Sequence, residues 1–291
     1  MKSKREVPFV KMHGIGNDYV YMDCLRGETP SWLTEENLPS LTRKISDRHF
    51  GVGSDGLILI LPSEKSDFRM RIFNSDGSEA KMCGNGIRCV GKYLYDRGFT
   101  KKTSLEIETN SGIRHLKLIR GADNQIESVE VDMGSPYFKR GEIPAAGSKD
   151  EEMADELLYS AGKTFSTTGV GMGNPHGVIF VEDVESLDLQ TIGPSLERHE
   201  IWPDRANIEF VKIVGPKEIR VRVWERGSGE TLACGTGACA AAVASYRKGF
   251  TEDEIKVTLR GGDLKISYDK NSNRVKMTGP AEFVCEGKFY L

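Results

Sequence analysis

Cys83 and Cys234 are the residues whose type and setting could do chemistry in this chain. Each is followed at once by glycine, a polar residue and glycine: Cys83-Gly84-Asn85-Gly86 and Cys234-Gly235-Thr236-Gly237. Each tetrad then runs into a segment that reads as a helix. A thiol is a poor base at neutral pH unless its pKa is lowered. A helix N-terminus lowers it through unpaired amide N–H groups and the helix dipole. The glycines leave backbone N–H groups open to an anion, most simply a carboxylate. One motif thus offers a base and half of a carboxylate clamp. Two such motifs suit a reaction that takes a proton from one face of a carbon and returns one to the other.

The elements that must position these tetrads recur along the chain. Cys83 and Cys234 are 151 positions apart, and Glu79 and Glu230 stand four residues before them. Arg69-Met70-Arg71-Ile72-Phe73 matches Arg220-Val221-Arg222-Val223-Trp224, Tyr95 matches Tyr246, and Gly98-Phe99-Thr100 matches Gly249-Phe250-Thr251. Their collinear order points to two halves of one plan, spanning 1–133 plus about 275–291, and 134–274. Helices are expected over 85–97 and 237–248. The second is small and apolar nearly all round, the mark of a buried helix. Strands are expected at 7–13, 18–24, 56–61, 68–73, 104–109, 113–119 and 126–133 in the first half. In the second they are expected at 163–169, 177–181, 206–213, 218–224, 254–259, 263–268 and 274–279. These runs are short, rich in Val and Ile, and bounded by Gly, Asn, Asp and Ser. The stretches 34–47 and 150–161 read as extra surface helices, and 133–149 as the link between halves. A helix wrapped by strands in each half is the natural picture.

Composition sets the outer bounds. The 291 residues are 38% hydrophobic and 29% charged, with a net charge of −3 and no block of like charge. That is a soluble globular composition, long enough for two domains or one large one, and it argues against nucleic acid or an anionic membrane as partner. The basic start of the chain lacks the apolar run of a signal peptide, and no stretch approaches the ~18 apolar residues of a membrane span. A cytoplasmic location is therefore expected. The six cysteines read as free thiols. Cys83 with Cys89, and Cys234 with Cys239, match no common zinc spacing, so no metal is expected. Cys24 and Cys285 fall in strand-like runs, and Cys89 and Cys239 inside the helices, as inert thiols.

The chain resembles the diaminopimelate epimerases. The matching segments are Lys11-Met12-His13-Gly14-Ile15-Gly16-Asn17-Asp18, Asn74-Ser75-Asp76-Gly77-Ser78-Glu79, Met82-Cys83-Gly84-Asn85-Gly86-Ile87-Arg88-Cys89, Gly173-Asn174-Pro175-His176, and Trp224-Glu225-Arg226-Gly227 through Ala233-Cys234-Gly235-Thr236-Gly237. They follow the family's order across nearly the whole chain. The resemblance implies an α/β (α+β) fold of two pseudo-symmetric halves, each a β-barrel-like sheet around a central helix, with the site in the cleft between them. It implies cofactor-independent inversion of LL-diaminopimelate to the meso form by a thiolate–thiol pair, in lysine and peptidoglycan precursor synthesis.

Further roles come with the resemblance. Asn17, Asn74, Asn174, Asn207 and Arg226 would hold the substrate's amino and carboxylate groups. Gly84-Asn85 and Gly235-Thr236 would bind the reacting carboxylate at helix N-termini. His176 and Glu225 would orient or prime the cysteines and the α-amino group. Asparagine amides can meet both ammonium and carboxylate groups, and Arg226 adds a bidentate carboxylate contact. No cofactor is implied, and a homodimer is. Gly56 stands where some members place Gln in the site, and Cys285 where some place Tyr at a dimer contact. Other readings of the residues are an isomerase for a proline-type amino acid, a thiol redox protein, and a non-catalytic binding protein.

Overall fold

The computed structural model describes residues 5–25 and 32–291. The first four residues, part of the basic start discussed above, lie outside the described set. The chain divides into two units, Met1–Val131 with Gly279–Leu291, and Asp132–Thr278.

The first unit contains β1 (Glu6–Gly14), β2 (Asn17–Asp23), α1 (Leu38–Ser46), β3 (Gly56–Leu61), β4 (Phe68–Asn74), β5 (Glu79–Ala80), α2 (Gly84–Asp96), β6 (Ser104–Thr109), β7 (Gly112–Arg120), β8 (Ile126–Gly134) and the final strand β18 (Glu282–Tyr290). The strands run in the order β18-β1-β2-β3-β4-β6-β7-β8, with β5 also paired to β4. All pairs are antiparallel except β2 with β3 and β4 with β6. Helix α2 packs on β1, β2 and β7. Helix α1 buries Leu38, Leu41 and Ile45, one stripe at helical spacing, beside Val20, Leu57 and Leu59. Each such side chain contributes about 1.5–3 kcal/mol of burial free energy.

The second unit repeats the plan with β9 (Glu156–Ser160), β10 (Lys163–Gly171), β11 (Pro175–Phe180), α3 (Leu189–Glu197), β12 (Asn207–Gly215), β13 (Glu218–Glu225), β14 (Gly229–Thr231), α4 (Gly235–Arg247), β15 (Glu254–Leu259), β16 (Gly262–Asp269) and β17 (Arg274–Pro280). The order is β9-β10-β11-β12-β13-β15-β16-β17, with β14 paired to β13. Again two pairs are parallel, β11 with β12 and β13 with β15. Helix α4 is alanine-rich and almost wholly buried, and it packs on β10, β11, β12, β13, β15 and β16. Small side chains let that many strands approach one helix.

The duplication extends to side chains. In the first unit Arg71 Nε meets Glu79 Oε1 at 2.8 Å, and in the second Arg222 Nε meets Glu230 Oε1 at the same 2.8 Å. Both buried helices end at a left-handed glycine, Gly98 with φ +76° and Gly249 with φ +74°, where a Cβ carrier would be strained.

One expected helix is a strand. Residues 150–161 are rich in helix formers, yet Glu156–Ser160 form β9 paired to β10 and the rest is turn and irregular backbone. Leu158 and Ser160 are buried while Leu157 and Tyr159 are 69% and 65% exposed, a period of two. The helix expected at 34–47 is confined to α1. Helix α3 and strands β5, β14 and β18 lie outside the sequence expectations. Among the described residues no helix is long and apolar enough to cross a membrane.

Candidate active site

Cys83 is the N-cap of α2, in extended backbone with φ −136° and ψ 120°. Its Sγ accepts from the Gly86 N–H at 3.4 Å and donates to Asn17 Oδ1 at 3.3 Å. The same oxygen accepts from Asn85 Nδ2 at 3.3 Å. An amide can present either end, so something must fix it. Asn17 Nδ2 donates to Asp55 Oδ2 at 2.8 Å, which turns its oxygen to the thiol. Asn85 Oδ1 accepts from Arg88 Nη1 at 3.0 Å, which turns its nitrogen to Asn17. Arg88 is fully buried and also donates to the Gly84 and Pro280 carbonyls, at 3.3 and 3.1 Å. Asp55, Asn17, Asn85 and Arg88 thus form a directed chain around the sulfur.

The base of that chain is charged. Burial raises the Asp55 carboxyl above its ordinary range, and neighbouring Asp18 adds to this. Burial acts on Asp18 as well, but hydrogen bonds from Arg48 and Lys11 outweigh it and hold that carboxyl low. Lys11 Nζ and Arg48 Nη2 both stand 2.8 Å from Asp18. Asn74 ends β4 and spends Nδ2 on Ser78 Oγ in its own turn, at 3.1 Å.

Cys234 is the N-cap of α4, with φ −123° and ψ 111°. Its Sγ lies 3.5 Å from Thr236 Oγ1. Here the expected lowering of the thiol fails. Burial pushes Cys234 well above the usual thiol range, and the Glu225 and Glu209 carboxyls beside it push the same way. Loss of water and two nearby anions outweigh the helix terminus. Glu225 is itself raised by burial, partly offset by the neighbouring Thr231 and Cys234 side chains.

His176 is fully buried on β11. Its Nδ1 meets Glu209 Oε1 at 2.8 Å and its Nε2 meets Asn174 Oδ1 at 2.9 Å. Asn207 is opposite His176 in the parallel register. Asn207 Oδ1 accepts from the Arg226 N–H at 2.8 Å, and its Nδ2 donates to Pro175 O at 3.3 Å. Arg226 lies exposed after β13 and donates to Asp204 O at 3.0 Å. Gly84, Asn85, Gly235 and Thr236 occupy the first turns of α2 and α4. Those are the N–H groups a helix leaves unpaired.

The structure therefore gathers Cys83, Asn17 and Asn85 in one unit, and Cys234, Glu225, His176 and Asn174 in the other. Asp55, Arg88 and Glu209 had been missed. The signals for them were slight: a glutamate inside the apolar run Ile208-Glu209-Phe210-Val211, and an arginine one turn after Gly84 on an apolar helix. At Gly56 a Cβ would stand 2.0 Å from Phe73 O, so this backbone admits no side chain there. Cys89 and Cys239 are core residues. Each N-cap thiol, with helix N–H groups beside it, can exchange a proton with a C–H next to a carboxylate that those N–H groups hold.

The same fold occurs in solved structures. One is a phenazine biosynthesis protein of the PhzF family from Bacillus anthracis, with TM-score 0.68 and 19% identity over 98% of this chain and 99% of that one. Another is a hydroxyproline epimerase from Agrobacterium vitis, with TM-score 0.69 and 16% identity over 100% and 94%. The class is an α/β fold of two like-built units, each a sheet around a central helix.

Sequence narrows the class to a family. The family model described as diaminopimelate epimerase matches residues 9–139 and 168–284. A diaminopimelate epimerase of Acetivibrio thermocellus is 51% identical over 97% of this chain and 98% of its own length. That of Geobacillus kaustophilus is 49% identical over 98% and 97%, and that of Methanococcus maripaludis strain C6 is 48% identical over 96% and 98%. This chain belongs to the diaminopimelate epimerase family.

Proposed function

We propose that this chain interconverts LL- and meso-diaminopimelate without a cofactor, as a step towards lysine and peptidoglycan precursors. Cys83 and Cys234 form the two-base pair. One, as thiolate, takes the α-proton; the other, as thiol, delivers a proton to the opposite face. Which acts first depends on the isomer bound. The observation that carries this reading is the repeated N-cap cysteine, one at the head of each buried helix. The α-proton is weakly acidic, so the carbanion needs electrostatic stabilisation by aimed donors. The first-turn N–H groups at Gly84-Asn85 and Gly235-Thr236 are suited to hold the reacting carboxylate.

The remaining assignments follow from the polar set. Asn17, Asn74, Asn174, Asn207 and Arg226 hold the substrate's amino and carboxylate groups, and Arg226 is the bidentate partner for a carboxylate. His176 and Glu225 prepare the Cys234 side, a role supported by the Glu225 carboxyl standing close enough to that thiol to raise it. We further propose a cytoplasmic homodimer, which sedimentation at micromolar concentration tests: a monomer there contradicts it. The substrate is tested by offering LL-diaminopimelate and L-proline separately in deuterated water. Exchange of the α-hydrogen in diaminopimelate alone is expected; exchange in proline alone overturns the reading.

A further inference from the structure

Glu209 is an unusual residue for the middle of a central strand. It lies on β12 between Ile208 and Phe210, all three fully buried. Only its Oε1 is bonded, to His176 Nδ1 at 2.8 Å. Its Oε2 is buried without a hydrogen-bond partner among the described residues. Retaining such an atom opposes stability, since an apolar residue would suit these neighbours better. The chain also gives up a side chain to admit it. A Cβ at Gly237 would stand 2.6 Å from Glu209 Oε1 and 3.3 Å from Cys234 Sγ. The carboxylate therefore reaches the first turn of α4, beside the sulfur.

We propose that Glu209 is a positioning residue for the substrate: by gripping His176 it fixes the amide of Asn174 with its N–H end free to receive a carboxylate. This inference rests on the proposed use of Cys234 and Asn174. The grip runs in one line. Glu209 holds Nδ1, so the imidazole cannot turn. Glu209 Oε1 and Asn174 Oδ1 are both acceptors, so this line places an N–H on each ring nitrogen, with Nε2–H donating to Asn174 Oδ1 at 2.9 Å. With the amide oxygen taken, Nδ2 is the end left for a ligand, and an N–H donor selects a carboxylate over an ammonium group. Asn207 lies on the same face of β12 as Glu209, two residues away, so one strand serves both asparagines.

Two variants separate the two properties of the carboxylate. Glu209→Gln keeps an oxygen acceptor and removes the charge. Glu209→Met removes both at similar length. In the Met variant KM for diaminopimelate should rise about tenfold, the worth of one oriented hydrogen bond. In the Gln variant KM should stay within about twofold of the parent.

The charge has its own readout. The ionisable groups facing Cys234 are Glu225 from β13 and Glu209 from β12, with His176 from β11 beside the carboxyls. Removing one neighbouring anion eases ionisation of the thiol, so the alkaline limb of kcat/KM in Glu209→Gln should move to lower pH. A role in packing alone would leave that limb in place. Equal KM values in the Gln and Met variants overturn the proposal, as does a Gln profile that superimposes on the parent's. If Glu209→Met does not fold, the Gln profile decides alone. Cys234→Ala serves as the reference: activity retained there defeats the proposed function itself, whereas activity lost there with unaltered Glu209 variants defeats only this inference.

Discussion

Adding one methyl group at Gly237 should do far more harm than adding it at the matching Gly86. Both glycines close the Cys-Gly-polar-Gly turn, and at both a Cβ would meet its nearest atom at 2.6 Å. The neighbours differ. At Gly86 the atom is Ile58 Cδ1, the free end of a side chain that can change rotamer. At Gly237 it is Glu209 Oε1, a buried oxygen held by His176. Relief to a contact of about 3.4 Å needs a movement of about 0.8 Å. Overpacking of that kind costs about 1–3 kcal/mol. Replacing glycine by alanine returns about 0.4–1 kcal/mol through the unfolded chain. The net loss is about 1–2 kcal/mol, and at about 2–4 °C per kcal/mol the Tm of Gly237→Ala should fall by about 2–8 °C. Displacing catalytic groups by nearly 1 Å should lower kcat by about 100-fold. For Gly86→Ala the two stability effects nearly cancel, and kcat should fall less than about tenfold. Differential scanning calorimetry and initial rates on purified variants measure both. Equal effects at the two positions, in either direction, would refute the reasoning.

Other outcomes follow from the same contacts. Asp55→Ala frees Asn17 Nδ2, so the amide no longer presents its oxygen to Cys83; kcat/KM should fall about tenfold with little change in Tm, by steady-state kinetics. Asp18 is held below its unfolded value, so its stabilising contribution is full above the unfolded pKa of about 3.9 and is lost as pH falls through the folded one. The acid arm of a Tm-against-pH curve should therefore flatten in Asp18→Asn, and an unchanged arm would contradict the Lys11 and Arg48 pairing. Burial pushes Cys24 and Cys89 up to about 11. Both should resist iodoacetamide at pH 8 in the native protein while exposed Cys285 is alkylated, which peptide mass spectrometry checks.

What could be read directly from the sequence was what repeats or alternates locally. Both buried helices were legible because Cys-Gly-polar-Gly opens each one and a glycine closes it. Most strands were legible from Val and Ile runs between turn residues. Strand β9 was not, because its residues favour a helix and only pairing with β10 makes them extended. Strand β18 was obscured for a related reason: Val284, Cys285, Gly287 and Lys288 give no amphipathic pattern, and its partner β1 is at the far end of the chain. Helix α3 contains Gly193 and Pro194, which read as breakers; yet a Cβ at Gly193 would stand 2.3 Å from Trp224, so glycine is there for packing. Within the site, the cysteines announced themselves by motif. Asp55, Arg88 and Glu209 act through other side chains at a distance in sequence, and nothing local marks such a residue. The thiol environment was the clearest miss. A helix terminus is visible in sequence, whereas the burial and two carboxyls that dominate at Cys234 are tertiary.

The central claim is that both sulfurs are needed for each inversion. Solvent-deuterium incorporation at the α-carbon of LL-diaminopimelate, followed by mass spectrometry and chiral separation, tests it most directly in the parent protein and in Cys83→Ala and Cys234→Ala. The parent should yield meso product carrying one deuterium at the inverted carbon, and each variant should yield less than about 1% of that product under the same conditions. Deuterated meso product at the parental rate from either variant would contradict the account.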